Sequence, residues 1–196
     1  MTMLNEGFAF WKAVNEAVEN GTLVMTFGRF NPPTIGHKWL FQSMLNIATK
    51  ERGVGLVFAS HSQDKKKNPL PYEEKCDLIS KLIPKGLKLV RTKARTMKEI
   101  LEELMPKKFR RLILVVGDDR TSEFAWIDKY KEDFGLQKVD IRSAGARSGA
   151  SAIQNASATA QREAAKAGDL ERFLEYSPFD QKVSEKLFNR LQDLLK

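Results

Sequence analysis

The stretch "FGRFNPPTIGHKWLF", residues 27–41, combines Gly, Asn and two prolines between two apolar segments. It directly follows the apolar run "TLVMTF" of residues 22–27 and ends where apolar residues begin to recur at helical spacing. We therefore expect a buried strand, a stiff loop and a helix in that order. Many α/β proteins contain such a crossover, so this context alone identifies no particular activity.

Segments of strand and helix character alternate along the rest of the chain. The predicted strands are residues 22–27, 55–60, 87–91, 111–117 and 138–142. The predicted helices are residues 4–19, 37–51, 72–83, 96–105, 121–133, 157–167, 169–175 and 180–195. Alternation of this kind is typical of a parallel sheet whose crossover connections are right-handed.

The segment "RLILVVG", residues 111–117, indicates how the sheet is covered. It is apolar on both faces through its middle, as expected of a central parallel strand between two layers of helices, and we place it beside residues 22–27. The sequence therefore predicts one α/β domain with a Rossmann-like, doubly wound parallel sheet and helices on both faces. The expected domain covers residues 1–196, with an extra N-terminal helix in 1–20, the core in 22–175 and an extra C-terminal helix in 178–196.

The composition is that of a globular protein in water. Of 196 residues, 42% are hydrophobic and 30% are charged, and no apolar run approaches the ~20 residues that a membrane span needs. The first twenty residues carry Glu6, Glu16 and Glu19 and do not resemble a signal peptide, so a cytoplasmic location is expected. The net charge of +8 suits nucleic acid, an anionic surface or a polyphosphate ligand without choosing among them.

The supply of metal-binding side chains is small. Cys76 is the only cysteine, which excludes an intrachain disulfide and a thiolate cluster. The only histidines are His37 and His61, far apart in sequence. We therefore expect no dedicated transition-metal site on the protein.

The loop at the end of the first strand is suited to phosphate. Gly28 would let the backbone approach a bound group, and Pro32 and Pro33 stiffen the chain that follows. Gly36 and His37 fall in the first helical turn, where unpaired N–H groups and the positive end of the helix dipole attract anions.

The residues themselves are more specific than their context. "GRFNPPTIGH" resembles the signature of the nucleotidyltransferase superfamily that has a (His or Thr)-x-Gly-His motif after a Gly-x-Phe-x-Pro strand end. The matching residues are Gly28, Phe30, Pro32, Thr34, Gly36 and His37. With Arg29 the sequence resembles the archaeal nicotinamide-mononucleotide enzymes, which have Gly-Arg-Phe at this point. With Thr34 in place of their histidine, it resembles the phosphopantetheine branch of the family. The resemblance extends over residues 22–175 and also includes the nucleotidyltransferase-like proteins of tailed bacteriophages.

A second motif lies towards the C-terminus. "SATAQR", residues 157–162, resembles the family's Ser-(Ser/Ala/Thr)-Thr-x-(Ile/Met)-Arg motif, which implies that Ser157, Thr159 and Arg162 hold the triphosphate tail. Ser157 also suits a helix N-cap, and the guanidinium of Arg162 suits phosphate oxygens. Gln161 departs from the family, which has an apolar residue there. The alternative register, "SGASAIQ" in residues 148–154, lacks the arginine.

Two weaker matches lie between these motifs. In "KKNPL", Asn68, Pro69 and Leu70 resemble a family loop that borders the acceptor pocket. The lysine run that ends at Lys67 would supply positive charge to the acceptor phosphate, although a solvated lysine run is an equal interpretation. In "VVGDD", Gly117 and Asp119 resemble the family's Gly-x-Asp, and an aspartate there would bind a ribose hydroxyl or simply cap a helix. Trp126 is expected in the core rather than stacked on a base.

The resemblance implies a reaction. An acceptor phosphate would attack the α-phosphorus of a nucleoside triphosphate that carries Mg²⁺ on its phosphates, and pyrophosphate would leave. His37, Thr34 and Arg162 would be catalytic, and nucleotide-binding residues would be Gly28, Arg29, Phe30, Gly36, Gly117, Asp119, Ser157 and Thr159. We expect AMP transfer from ATP to an acceptor such as nicotinamide mononucleotide. Alternatives are cytidylyl transfer to an alcohol phosphate, or an inactive phage binding protein that contacts nucleic acid, which is the less favoured partner.

Overall fold

The computed structural model describes residues 21–104, 109–117, 120–144 and 157–196. The predicted N-terminal helix, the alternative register at 148–154 and Asp119 lie outside these residues. The strands are β1 (Thr22–Gly28), β2 (Val54–Ala59), β3 (Leu87–Val90), β4 (Arg111–Val116) and β5 (Lys138–Ser143). The α-helices are α1 (Ile35–Lys50), α2 (Tyr72–Ser80), α3 (Met97–Leu104), α4 (Trp126–Lys129), α5 (Ala158–Ala167), α6 (Leu170–Tyr176) and α7 (Gln181–Leu194).

The strands form one five-stranded parallel sheet in the order β3-β2-β1-β4-β5. Strand β4 pairs with β1, with Leu23 opposite Leu112, as the apolar pattern of β4 predicts. The chain adds strands to one side of β1 and then returns to add β4 and β5 on the other side. The carboxyl ends of β1 and β4 therefore flank the topological switch point, where doubly wound sheets bind their ligands.

Helices cover both faces of this sheet, which confirms the predicted fold class. Side chains of β1 alternate between two buried apolar clusters, with Leu23 in one and Val24 in the other. The first cluster is completed by α3 and by the 3₁₀ and helical turns that follow β4, and the second is completed by α1 and α2. None of the described helices is long and apolar enough to cross a membrane.

The C-terminal helices form a compact unit of their own. Helices α5, α6 and α7 share a third apolar cluster in which Phe173 and Leu191 are fully buried. Leu70, from the segment between β2 and α2, belongs to the same cluster. This contact attaches the helical unit to the carboxyl edge of the sheet.

The predicted continuous helix at 121–133 is wrong. The structure has 3₁₀ turns at Ser122–Phe124 and Lys131–Phe134, separated by the short helix α4, and Gly135 ends the segment with a φ of 68°. The buried residues Phe124 and Ile127 are three positions apart, and residues at that spacing project from the same side in tight i→i+3 turns. Trp126 is partly buried and packs against the first cluster, as expected of a core residue.

Candidate active site

A cavity of about 530 Å³ opens at the switch point. Its wall is built from the carboxyl ends of β1 and β4, the first turn of α1, part of the segment between β2 and α2, and one face of α5. The sequence motifs around His37 and Arg162 are 125 positions apart by number, yet both line this cavity. It is therefore the candidate site.

Gly28 lines the cavity, and its lack of a side chain also makes room for another residue of the same loop. A Cβ on Gly28 would lie 2.7 Å from the ring of Phe30, so the space is occupied by that ring rather than by a ligand. Phe30 is buried, adopts a φ of 45° that is costly for an aromatic residue, and packs against His37 and Phe41. The absent side chain of Gly28 thus allows the loop to fold back beneath His37.

Thr34 and His37 are joined across the start of α1. The backbone N–H of Thr34 donates to Nδ1 of His37 at 2.9 Å, and the Thr34 hydroxyl lies 3.0 Å from the same atom. Because Nδ1 accepts, the neutral imidazole carries its hydrogen on Nε2. The edge-to-face contact with Phe30, at 5.0 Å between ring centroids, fixes the ring plane. His37 is thus a preorganised hydrogen-bond donor in the cavity wall.

Arg162 reaches the cavity from α5. Its Nη1 donates to the carbonyl oxygen of Asn31 at 2.7 Å, and its Nη2 donates to the Thr159 hydroxyl at 3.1 Å. Burial, and then the charge of Arg29, lower the pKa of Arg162. Within the described part of the chain, no carboxylate forms an ion pair with it. A buried cation whose bonds go to neutral oxygens is suited to receive an anion.

The helix that carries Arg162 begins with an ordinary cap. The Ser157 hydroxyl accepts from the backbone N–H of Ala160 at 3.0 Å, as the sequence predicts. Thr159, Arg162, Glu163 and Lys166 follow at helical spacing and line the cavity together. This face of α5 therefore presents a hydroxyl, two cationic groups and one carboxylate to a ligand.

A lysine-rich turn, residues 64–68, contributes Lys66, Lys67 and Asn68 to the wall. The Asp64 carboxylate accepts from the backbone N–H groups of Lys66 and Lys67 and from the side chain of Asn68. These bonds lower the pKa of Asp64 to about 2, the bond from Lys67 contributing most. These hydrogen bonds within the turn hold Lys66, Lys67 and Asn68 in the cavity wall. We call residues 64–68 the lysine turn.

Positive charge dominates the described wall. The basic residues there are Arg29, Lys66, Lys67, Arg120, Arg162 and Lys166, and Glu163 is the acidic one. A concave site of this charge concentrates anions and is suited to a ligand that carries several phosphates.

The comparisons with known proteins agree with this geometry. The model of a family described as cytidylyltransferase-like matches residues 25–173, which contain every motif described above. The chain belongs to the cytidylyltransferase-like family. Its members are nucleotidyltransferases, so a nucleotide is the class of substrate that the family implies.

Solved structures resemble this family member in fold. One is the crystal structure of a putative nicotinate-nucleotide adenylyltransferase from Vibrio parahaemolyticus. It is 21% identical, with a TM-score of 0.56, and the match covers 86% of this chain and 99% of that one. No curated protein matches the chain.

The cytidylyltransferase-like fold brings the predicted residues together. The cavity is lined by Gly28, Arg29, Phe30, Thr34, Gly36, His37, Lys67, Asn68, Gly117, Ser157, Thr159 and Arg162. Asp119 is the one predicted site residue outside the described chain. The roles assigned to these residues stay predictions.

Several residues of the wall were not predicted from the sequence. Asn31 is buried, its side chain donates to and accepts from the backbone of Leu70, and its own carbonyl holds Arg162. Arg120 binds both oxygens of Glu123 at 2.8 Å and also donates to the carbonyl of Phe27. Helical spacing from Arg162 would have found Lys166, but nothing local distinguishes Asn31.

The described residues fit Mg²⁺ that is carried by a nucleotide. Among them, no group of three or more His, Cys, Asp or Glu side chains could hold a metal ion. Glu163 is the single carboxylate in the described wall, so phosphate oxygens and water would supply most ligands of the ion.

Proposed function

We propose that this protein is an adenylyltransferase, which transfers AMP from ATP to the phosphate of an acceptor such as nicotinamide mononucleotide and releases pyrophosphate. One observation carries the proposal: the His37 turn of α1 and the Arg162 face of α5 line the same cationic cavity. Membership of the cytidylyltransferase-like family supports the reaction class. The likeness to the Vibrio protein, which is named for a nicotinate nucleotide, supports a mononucleotide as the acceptor.

The roles follow from what each group can donate. His37 would donate Nε2–H to the α-phosphate, where negative charge develops as the acceptor oxygen attacks. Removing one such preorganised donor typically costs about 10²–10³ in rate. Thr34 holds His37 in the donating tautomer. Gly36 would add a backbone N–H at the positive end of the helix dipole.

Arg162 would bind the β- and γ-phosphates, which leave as pyrophosphate. Ser157 and Thr159 begin the same helix and would add neutral donors near the leaving group. Arg29 lies close enough to Arg162 to lower its pKa, so together these two cations would neutralise the charge that the leaving group gains. No general base is required, since the acceptor phosphate is already ionised.

The acceptor would lie against the lysine turn. Lys67 would bind its phosphate, and Asn68 would donate or accept a hydrogen bond there. The Mg²⁺ ion, when bound, would neutralise the triphosphate and orient it. Gly117 and Asp119 would bind the ribose of the nucleotide.

The test is pyrophosphate release. The protein is incubated with Mg²⁺ and each nucleoside triphosphate, alone and with nicotinamide mononucleotide, phosphopantetheine or glycerol phosphate. We expect release with ATP and a mononucleotide, its loss in Arg162→Met and His37→Ala, and normal release in the control Lys50→Ala at the far end of α1. Normal release in both site variants would contradict the proposal.

The family description favours a second candidate, cytidylyl transfer to an alcohol phosphate. Release with CTP and glycerol phosphate, and none with ATP, would establish it. Triphosphate binding without release from any pair would instead support the inactive binding protein.

A further inference from the structure

Lys75 is a buried lysine outside the cavity wall. It lies on α2, none of its surface is exposed, and its Nζ donates to the backbone carbonyls of Ser60 and Ser62, the latter at 3.3 Å. Within the described residues, no carboxylate forms an ion pair with it. Burial lowers the pKa of Lys75 to about 8.

Such a residue is destabilising if it only fills space. A buried charge without a counter-ion costs free energy, and an apolar side chain of the same length would pack on α2 without that cost. The ammonium group, unlike an apolar side chain, donates hydrogen bonds to two backbone carbonyls and so holds them in place. Those carbonyls belong to the first residues that follow β2.

The segment held by Lys75 leads directly into the lysine turn. Ser60 is also tied to β1, because its N–H donates to the carbonyl of Gly28 at 2.8 Å. Between the two serines, His61 stacks on Tyr72 of α2 at 3.7 Å and bonds the carbonyl of Thr92. Residues 60–62 are therefore fixed on α2 and β1 before the chain turns at Asp64.

The other end of the lysine turn is fixed independently. The side chain of Asn31 bonds both the N–H and the carbonyl of Leu70, at 3.0 and 3.1 Å. The turn thus has an anchor on each side, Lys75 before it and Asn31 after it. Asn31 also holds Arg162, whereas the ammonium group of Lys75 donates to the entering segment.

We infer that Lys75 is a positioning residue for the lysine turn: its buried ammonium fixes where the chain leaves β2 and so sets where Lys67 and Asn68 meet the acceptor. The inference rests on the proposed function for the identity of the acceptor. It assigns Lys75 an effect on acceptor binding and none on the triphosphate, because Arg162 and His37 are held by other contacts.

The first experiment needs no turnover. Lys75→Met keeps the length of the side chain and removes the donors, and Cys76→Ala is the matched control because Cys76 is the next residue on α2 and is equally buried. Limited trypsin digestion, followed by mass spectrometry, measures cleavage after Lys65, Lys66 and Lys67. We expect cleavage there to rise about tenfold or more in Lys75→Met and to be unchanged in Cys76→Ala. Lys75→Gln is the second variant if Lys75→Met does not fold.

The second experiment separates the two substrates. For Lys75→Met we expect the acceptor KM to rise about tenfold, with the triphosphate KM and the affinity for ATP unchanged. Equal cleavage of the turn in wild type and variant would overturn the inference, as would a parallel loss of ATP affinity. Failure of all turnover in wild type would refute the proposed function alone, because the digestion result stands without it.

Discussion

The Nδ1 atom of His37 accepts a hydrogen bond from the backbone N–H of Thr34 three residues earlier, at 2.9 Å. The bond both begins α1 and decides which ring nitrogen carries the hydrogen. Helix capping and catalysis would therefore depend on the same atom pair.

Replacing His37 separates these two effects. We expect His37→Ala to lower kcat by about 10²–10³ through loss of the Nε2–H donor. It should also lower the free energy of unfolding by about 1 kcal/mol through loss of the cap. His37→Asn would restore part of the cap and none of the activity. Urea denaturation and pyrophosphate release measure the two quantities, and an active, stable His37→Ala would disprove both roles.

Gly28→Ala should act on His37 at a distance. The added Cβ would meet the Phe30 ring at 2.7 Å, so the ring must move and its contact with His37 must change. We expect a loss of about 1–3 kcal/mol in the free energy of unfolding from overpacking, and a lower kcat. Gly135→Ala, with open space around its Cβ, controls for the loss of a glycine, although its φ of 68° adds backbone strain. A fully active Gly28→Ala would show that the ring does not position His37.

Gln161 offers a test of buried polarity. It is fully buried on α5, and neither side-chain amide atom has a hydrogen-bond partner within the described chain. Burying an unpaired amide costs about 1–3 kcal/mol, so Gln161→Met should raise the free energy of unfolding by an amount in this range. Chemical denaturation measures it. A loss of stability would mean that the amide is satisfied in solution, for example by an internal water molecule.

The stability of the protein should rise with pH above pH 8 through Lys75. The folded pKa is about 8 and the ordinary value is 10.5, so between these values the unfolded lysine holds a proton that the folded one has lost. The unfolded state then binds more protons, and the free energy of unfolding contributed by Lys75 increases by at most about 3 kcal/mol across the window. The difference between wild type and Lys75→Met, measured from pH 7 to 10.5, isolates this effect. A flat difference would show that Lys75 is not titrating as a buried group.

The strands of the sheet could be predicted from the sequence because a strand that is buried on both faces has a continuous run of apolar residues. Strand β4 shows this, and its placement beside β1 followed from the same pattern. The prediction of a continuous helix at 121–133 is wrong because apolar spacing does not distinguish a helix from successive tight turns. Asn31 and Lys75 could not be predicted as anchors. Their partners lie 39 and 15 positions away, and Lys75 follows Glu73 and Glu74 in what looks like an exposed charged stretch.

The bond from Arg162 to Asn31 gives the cavity a mechanical role. It joins the C-terminal helical unit to the loop that leaves β1, and Leu70 reinforces the same junction. The cavity therefore lies at the junction between the C-terminal helical unit and the sheet. A polyphosphate that binds residues on both sides of this junction would stabilise the contact between the helical unit and the sheet. Amide hydrogen exchange in α7, which lines no part of the cavity, would therefore slow when the site is occupied. Hydrogen exchange in α7 would then measure ligand binding at a cavity that α7 does not contact.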